Sequence, residues 1–154
     1  MDPSTGGTRR DVDAATDVAV RNLVGRYCEA VFHFDVAAFR ACWHDDAVWG
    51  VAGARPIEGI DRIVRVFERL RGPLPRCLQL VASGVVEAGP HAGEVEARWV
   101  IRELQWPVEP GAEGVDLYGM YRDTIRVDAD GVWRFAARSF AQVARGTLAL
   151  PPLL

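Results

Sequence analysis

An acid and a base facing each other inside a predicted hairpin are the residues best placed for chemistry. The run from Tyr118 to Phe140, YGMYRDTIRVDADGVWRFAARSF, predicts two strands joined by an Asp130-Gly131 turn. That dipeptide suits a tight hairpin, whose central residues need backbone angles that glycine and aspartate tolerate. Alternation places Tyr121, Asp123, Ile125 and Val127 on one face, with Tyr118, Met120, Arg122, Thr124 and Arg126 on the other. Arg138 lies on the adjoining strand. A charge among aromatic and β-branched residues needs a partner, which makes Asp123 and Arg138 a pair to trace. Burial would raise the Asp123 pKa and make it a general acid or base; a neighbouring arginine would lower it and favour a fixed ion pair. Both roles stay open at this level. Glu103, mid-strand on the Trp99 and Ile101 face, is a second acid/base candidate.

The three histidines carry less. His33 groups with Arg26 and Glu29 on the polar side of a helix, which makes it a surface residue. His44 precedes Asp45-Asp46 in a helix-to-strand turn, where capping competes with a place on a pocket rim. His91 sits in a Pro90-His91-Ala92-Gly93 turn with nothing catalytic around it. Asp35 and Asp46 are explained by capping and turn formation. Cys28, Cys42 and Cys77 are odd in number and lack any C-x-x-C or Cys/His cluster, so neither a disulfide framework nor a metal site is expected, and no cofactor motif is present.

These residues sit in a chain of 154 residues, 49% hydrophobic, with a mean hydropathy of +0.01. That is enough for one domain with a real core. A net charge of −3 and scattered arginines leave no basic footprint for nucleic acid. The polar start, MDPSTGGTRRDVD, has no apolar core of a signal, and no run approaches the ~20 apolar residues of a membrane span. A cytoplasmic location is the expectation, with residues 1–12 as a flexible N-terminus, 13–145 as the domain and 146–154 as a tail packing on the body or on a partner subunit.

From about Asp13, Val20, Leu23, Val24, Tyr27, Val31 and Phe34 recur at three- and four-residue steps, predicting a long amphipathic helix. Asp35 reads as the N-cap of a short second helix, VAAFRACW. The run AVWGV predicts a strand, a loop follows from Gly53 to Gly59, and a third helix presents Ile60, Ile63, Val64, Phe67 and Leu70 before Gly72-Pro73-Leu74-Pro75 stops it. Strands over Arg76 to Glu87 and Glu94 to Trp106 lead into the hairpin. The longest loop, Pro107 to Gly114, either flanks a site or is a solvated connection. Helices first and an antiparallel meander afterwards predict an α+β fold.

Several stretches together resemble the SnoaL-like branch of the nuclear transport factor 2 superfamily: YCEAVFHFD from Tyr27 to Asp35 with the following WHDDAVW, PIEGIDRI from Pro56, GMYRD ending at Asp123, and DGVWRFAAR ending at Arg138. The resemblance covers about residues 15–145. It implies a cone in which a curved antiparallel sheet wraps around the N-terminal helices and leaves an apolar pocket, and it implies a homodimer formed through the sheet. Cyclases, dehydratases, isomerases and dehydrochlorinases share this fold with binding domains, so the fold alone selects no reaction.

In dehydratase-like members the first helix carries a Tyr and, five residues later, an Asp that orients a His base on the strand after the third helix. Here Tyr27 is present, Phe32 stands in the Asp position and Gln79 in that of the His. Gln79 cannot take a proton, though its amide can donate to an oxyanion or orient a carbonyl, or simply bond within the sheet. Arg138 matches a family arginine near the inner end of the last strand, able to bind a carboxylate, enolate or leaving group. The implied catalytic set is therefore Tyr27, Gln79, Asp123 and Arg138, with Phe32, Trp49, Val51, Trp99, Met120 and Tyr121 against a hydrophobic small-molecule substrate. Three functions compete. One is a cofactor-independent cyclase acting on a polyketide-like intermediate by shape and carbonyl polarisation. Another is a dehydratase or isomerase using Asp123 or Glu103, and the third is a non-catalytic binding or association domain. An interior closed by Trp49, Phe32 and Trp99 would favour the last; Gln79, Tyr27 and Arg138 pointing inward would favour an enzyme.

Overall fold

The first helix forms where its periodicity predicts. In the computed structural model, which describes residues 10–51 and 53–151, Asp13 caps α1 (Ala14–His33) by accepting from the Thr16 N–H at 2.7 Å. Asp35 caps α2 (Val36–Ala41) in the same way through Ala38. β1 (Trp43–Gly50) starts four residues earlier than its apolar run indicates, so His44-Asp45-Asp46 lies in a strand and not in a turn. The Gly53–Gly59 loop contains a two-residue strand, β2 (Ile57–Glu58), and leads into α3 (Ile60–Arg71). Then come β3 (Cys77–Ala88), β4 (Glu94–Gln105), β5 (Gly114–Val127) and β6 (Trp133–Leu148). The expected flexible N-terminus lies outside the described residues over 1–9, as does the tail over 152–154. The part of the tail within them continues β6 to Leu148, and the Trp106 indole donates to the Pro151 carbonyl at 2.8 Å.

All six strands form one sheet in the order β2-β1-β6-β5-β4-β3. The last four are the expected antiparallel meander, whereas β1 joins it by pairing parallel to β6. A parallel neighbour needs a long crossover, and here everything between β1 and β6 serves as one. Curvature comes from bulges at Ala82 on β3 and at Ala136 and Val143 on β6, where two residues oppose one. The helices fill the concave side with Val20, Leu23, Val24, Tyr27 and Val31 from α1 and Ile60, Ile63, Val64 and Phe67 from α3. Among the described residues, no helix is long and apolar enough to cross a membrane.

Two residues depart from the helical pattern near one buried arginine. Phe34 leaves the helix in a left-handed conformation, φ 54°, and Leu70 is exposed, while its neighbour Arg71 is buried against the end of α1. Arg71 turns inward and donates from Nε to the Val31 carbonyl at 2.7 Å and from Nη2 to that of Phe32 at 3.1 Å. A third bond runs from Nη1 to the Leu74 carbonyl at 2.5 Å. Carbonyls at a helix C-terminus have no partner within the helix, and a guanidinium satisfies several at once while countering the negative end of the dipole.

Trp99 is held by a missing side chain. Gly84 is its direct neighbour on β3, and a Cβ there would lie 2.0 Å from the indole Cε3. Across the outer ring face, the Arg21 guanidinium carbon sits 5.5 Å from the centroid while its Nη2 donates to the Gly84 carbonyl. Gly84→Ala is therefore expected to lower stability by about 1–3 kcal/mol through forced displacement of Trp99, read as a reduced urea midpoint at unchanged slope; an unchanged midpoint would mean that the indole has room to move.

Candidate functional site

Four strands bring one row of residues together. Ala97 on β4, Asp123 on β5, Arg138 on β6 and Trp49 on β1 are successive cross-strand neighbours on the concave face. Strict alternation along β6 would separate Phe135 from Arg138, but the bulge at Ala136 returns both to that face. Arg138 donates from Nε to Asp123 Oδ1 at 2.8 Å and from Nη2 to Oδ2 at 2.7 Å, and neither side chain has any exposed surface. The Trp99 indole N–H gives Oδ2 a second bond at 2.8 Å. Three ring faces enclose the guanidinium: its carbon lies 4.3 Å from the centroid of Tyr27, 4.1 Å from Tyr121 and 4.0 Å from Phe135. Burial opposes the charge, yet the Asp123 charge and hydrogen bonds outweigh it and hold the Arg138 pKa above its ordinary value. Asp123 accepts two bonds from Arg138 and one from Trp99, and its side chain touches no solvent, the arrangement of a fixed ion pair.

A second polar cluster lies on the same face. Gln79 and Glu103 are direct cross-strand neighbours. The Gln79 amide donates to Glu103 Oε2 at 2.6 Å and to the Tyr121 hydroxyl at 2.9 Å, while Gln105 donates to Glu103 Oε1 at 2.5 Å. Glu103 is only partly buried. Tyr121 joins the clusters, with its ring under Arg138 and its hydroxyl on Gln79, and it interacts through its hydroxyl with Tyr27. Burial pushes both phenols well above their ordinary pKa, so both stay neutral donors. Burial also raises the thiols around the interior, Cys42 to about 11.

The expected site residues thus divide. Tyr27, Gln79, Asp123 and Arg138 all point inward, as do Trp49, Trp99 and Tyr121. Trp49 packs 6.0 Å from both Phe39 and Trp43 and is a core residue as placed. Trp99 is committed to Asp123. Phe32 is half-buried at the end of α1 with the Arg76 guanidinium 4.7 Å above its ring, and Val51 is half-buried beyond β1. Met120 is a correction: it pairs with Val100 and Ala141 in a row on the convex face, because inward positions on β5 are 117, 119, 121, 123 and 125. His33 is exposed. His44 is buried in β1, with Nδ1 3.0 Å from Asp128 and Nε2 3.2 Å from the Arg126 carbonyl. Gln105, Trp43 and Phe135 were not singled out from the sequence. Gln105 was within reach of it, two residues past Glu103 on the same face.

Comparison with known proteins places this geometry. The model of the SnoaL-like domain matches residues 13–139. The chain belongs to the SnoaL-like family. Similar solved structures include a type 2 hexachlorocyclohexane dehydrochlorinase, at 20% identity and a TM-score of 0.79, covering 91% of this chain and 96% of the other. A related type 3 enzyme from Novosphingobium barchaimii LL02 has 21% identity and a TM-score of 0.78, covering 90% and 96%. A protein provisionally assigned as a scytalone dehydratase from Novosphingobium aromaticivorans has 16% identity and a TM-score of 0.78, covering 89% and 90%. No curated protein matches the sequence. At these identities the likeness shows the fold of the SnoaL-like domain, an α+β cone with a curved sheet, and leaves its chemistry to its own side chains.

The buried pair gives a stability test of that geometry. Asp123→Asn is expected to cost about 3–5 kcal/mol, since it leaves the Arg138 charge uncompensated. The double variant Asp123→Leu with Arg138→Met should regain most of that loss in urea unfolding. A loss below about 1 kcal/mol in the single variant would show that the pair does not hold the interior together.

Proposed function

We propose that this SnoaL-like domain is a cofactor-independent enzyme of the lyase or isomerase type. Its substrate is a small apolar molecule, and Glu103 moves the proton. The observation that carries this reading is the contrast between the two inner carboxylates. Asp123 is sealed by Arg138 and Trp99, while Glu103 is partly open and is fixed by two amide donors, Gln79 and Gln105. A carboxylate held in one orientation beside apolar walls is what proton abstraction next to a carbonyl requires. Tyr121, neutral and hydrogen-bonded to Gln79, supplies a donor close to Glu103. Elimination and isomerisation both begin with that proton transfer. Cyclisation of a polyketide-like intermediate is a narrower case, and it needs Trp49 and Trp99 as free ligand walls, whereas Trp99 is bonded to Asp123 and Trp49 packs in the core.

Deuterium uptake tests the proposal without knowledge of the natural substrate. Enolisable cyclic ketones and β-hydroxy ketones are incubated with the protein in D2O and followed by mass spectrometry. Glu103→Gln is expected to slow uptake by about 100-fold or more at an unchanged melting temperature. Full activity in that variant would exclude Glu103 as the base.

The close packing of Tyr27, Trp49 and Trp99 favours a second reading, a non-catalytic association domain. Leu80, Val85, Val100 and Tyr118 expose apolar surface on the convex side of the sheet, next to Met120. Under either reading we propose that two copies pair through this face. Light scattering is expected to give a dimer for the wild type and a monomer for Val100→Glu; a monomeric wild type would remove the pairing.

A further inference from the structure

The outer face of α3 carries three arginines in a line without a partner. Ile60, Ile63, Val64 and Phe67 bury one side of this helix. Arg62, Arg65 and Arg69 follow one another at steps of three and four residues, which puts them within roughly 60° of arc on the opposite, exposed side. They line a groove of about 640 Å³ together with Val66, Pro56, Ile57 and Glu58. Three positive charges thus face one negative charge. Several surface arginines elsewhere hold a carboxylate, as Arg21 holds Asp17, Arg98 holds Glu87 and Arg102 holds Asp116. Among the described residues, no carboxylate pairs with Arg62, Arg65 or Arg69. Asp61, on the same helix, is taken by Arg40 of α2 at 2.7 Å.

Helix stability does not account for this arrangement. Arg62 sits in the first turn of α3, where the positive end of the helix dipole disfavours a cation. Arg65 follows it by three residues and Arg69 follows Arg65 by four, so like charges are neighbours along the helix and repel one another. An anion from outside offsets both costs. We propose that the groove docks an acidic helix of a partner protein, whose carboxylates recur at the same three- and four-residue steps and whose apolar flank packs on Val66 and Ile57. Seven residues of helix rise about 10 Å, so one line of three carboxylates on the partner spans the distance from Arg62 to Arg69. A guanidinium grips a carboxylate through two parallel bonds, which gives the line a register as well as a charge. A nucleic acid or an anionic membrane is poorly matched, because the chain carries a net charge of −3 and Glu58, Asp61 and Glu68 stand beside the arginines to repel an extended anionic surface. A second copy does not supply the line either. Among the described helices, α1 has acids only at Asp17 and Glu29, α2 has none and α3 has Asp61 and Glu68. The groove faces away from the core, so this docking does not depend on whether the interior is catalytic.

The test takes the full chain, labelled with ¹⁵N, and a synthetic alanine-based helical peptide of about 20 residues with glutamate at i, i+3 and i+7 and leucine beside that line. At low salt the peptide is expected to shift the Nε–H signals of Arg62, Arg65 and Arg69 and the backbone amides of α3 saturably. Raising the salt from about 20 to about 200 mM should weaken the binding about fivefold or more. A peptide of the same composition with its glutamates spread around the helix should bind at least about fivefold more weakly. Sodium phosphate and phosphatidylserine vesicles should each leave the α3 signals in place. Replacing the three arginines together, as Arg62→Glu, Arg65→Glu and Arg69→Glu, is expected to abolish binding, and a peptide with lysine in place of its glutamates should bind that variant and not the wild type. If the variant does not fold, the comparison of the two acidic peptides on the wild type decides alone. Glu103→Gln should bind the acidic peptide as the wild type does, so a failure of the docking and a failure of the assigned base are distinguishable. No saturable shift, equal affinity for the two acidic peptides, or shifts produced by phosphate or by vesicles would overturn the proposal.

Discussion

The Asp123–Arg138 pair constrains most of the interior. A guanidinium without solvent contact is tolerable only with a fully engaged counter-ion, and each group that meets this need comes from a different element. Asp123 is supplied by β5, the second donor to its carboxylate by Trp99 on β4, and the ring faces over the cation by Tyr27 on α1 and Phe135 on β6. Gly84 belongs to the same chain of requirements, because it lets Trp99 lie flat enough against β3 to reach Asp123. The pair therefore acts as a register pin for three strands and the first helix at once.

Sealing that pair leaves the polar interior in two parts with different freedom. Around Arg138, the charges are balanced and the geometry is rigid. Around Glu103, a partly open carboxylate sits between two amides, where the proposed proton transfer is placed. Tyr121 belongs to both parts.

Much of the fold was legible in the sequence because its local signals agree. The helical periods, the Asp35 cap and the Asp130-Gly131 turn each settle an element from residues close in the chain, and the family resemblance supplied the cone. What escaped depends on distant partners. The start of β1 at Trp43 follows from parallel pairing with a strand some ninety residues away, which no local pattern encodes. The placement of Phe135 beside Arg138 follows from one bulge, and a bulge reverses facing for every residue after it. The Asp123–Arg138 pair could be read because both residues are polar in apolar strands. Gln105 was within reach through its spacing of two from Glu103, and Met120 was misplaced although its parity with Tyr121 already set it on the convex face.

The parallel pairing of β1 with β6 also bears on how the protein is made. During synthesis the helices and β1 emerge early, while the strand that β1 must dock against follows some ninety residues later. Until then Trp43 and Trp49 have no neighbour on that side, and Tyr27 waits for the cation that will lie over its ring. Contacts of such long sequence separation close late and slowly. The interior around Trp43 and Trp49 is thus closed only by a contact that spans most of the chain.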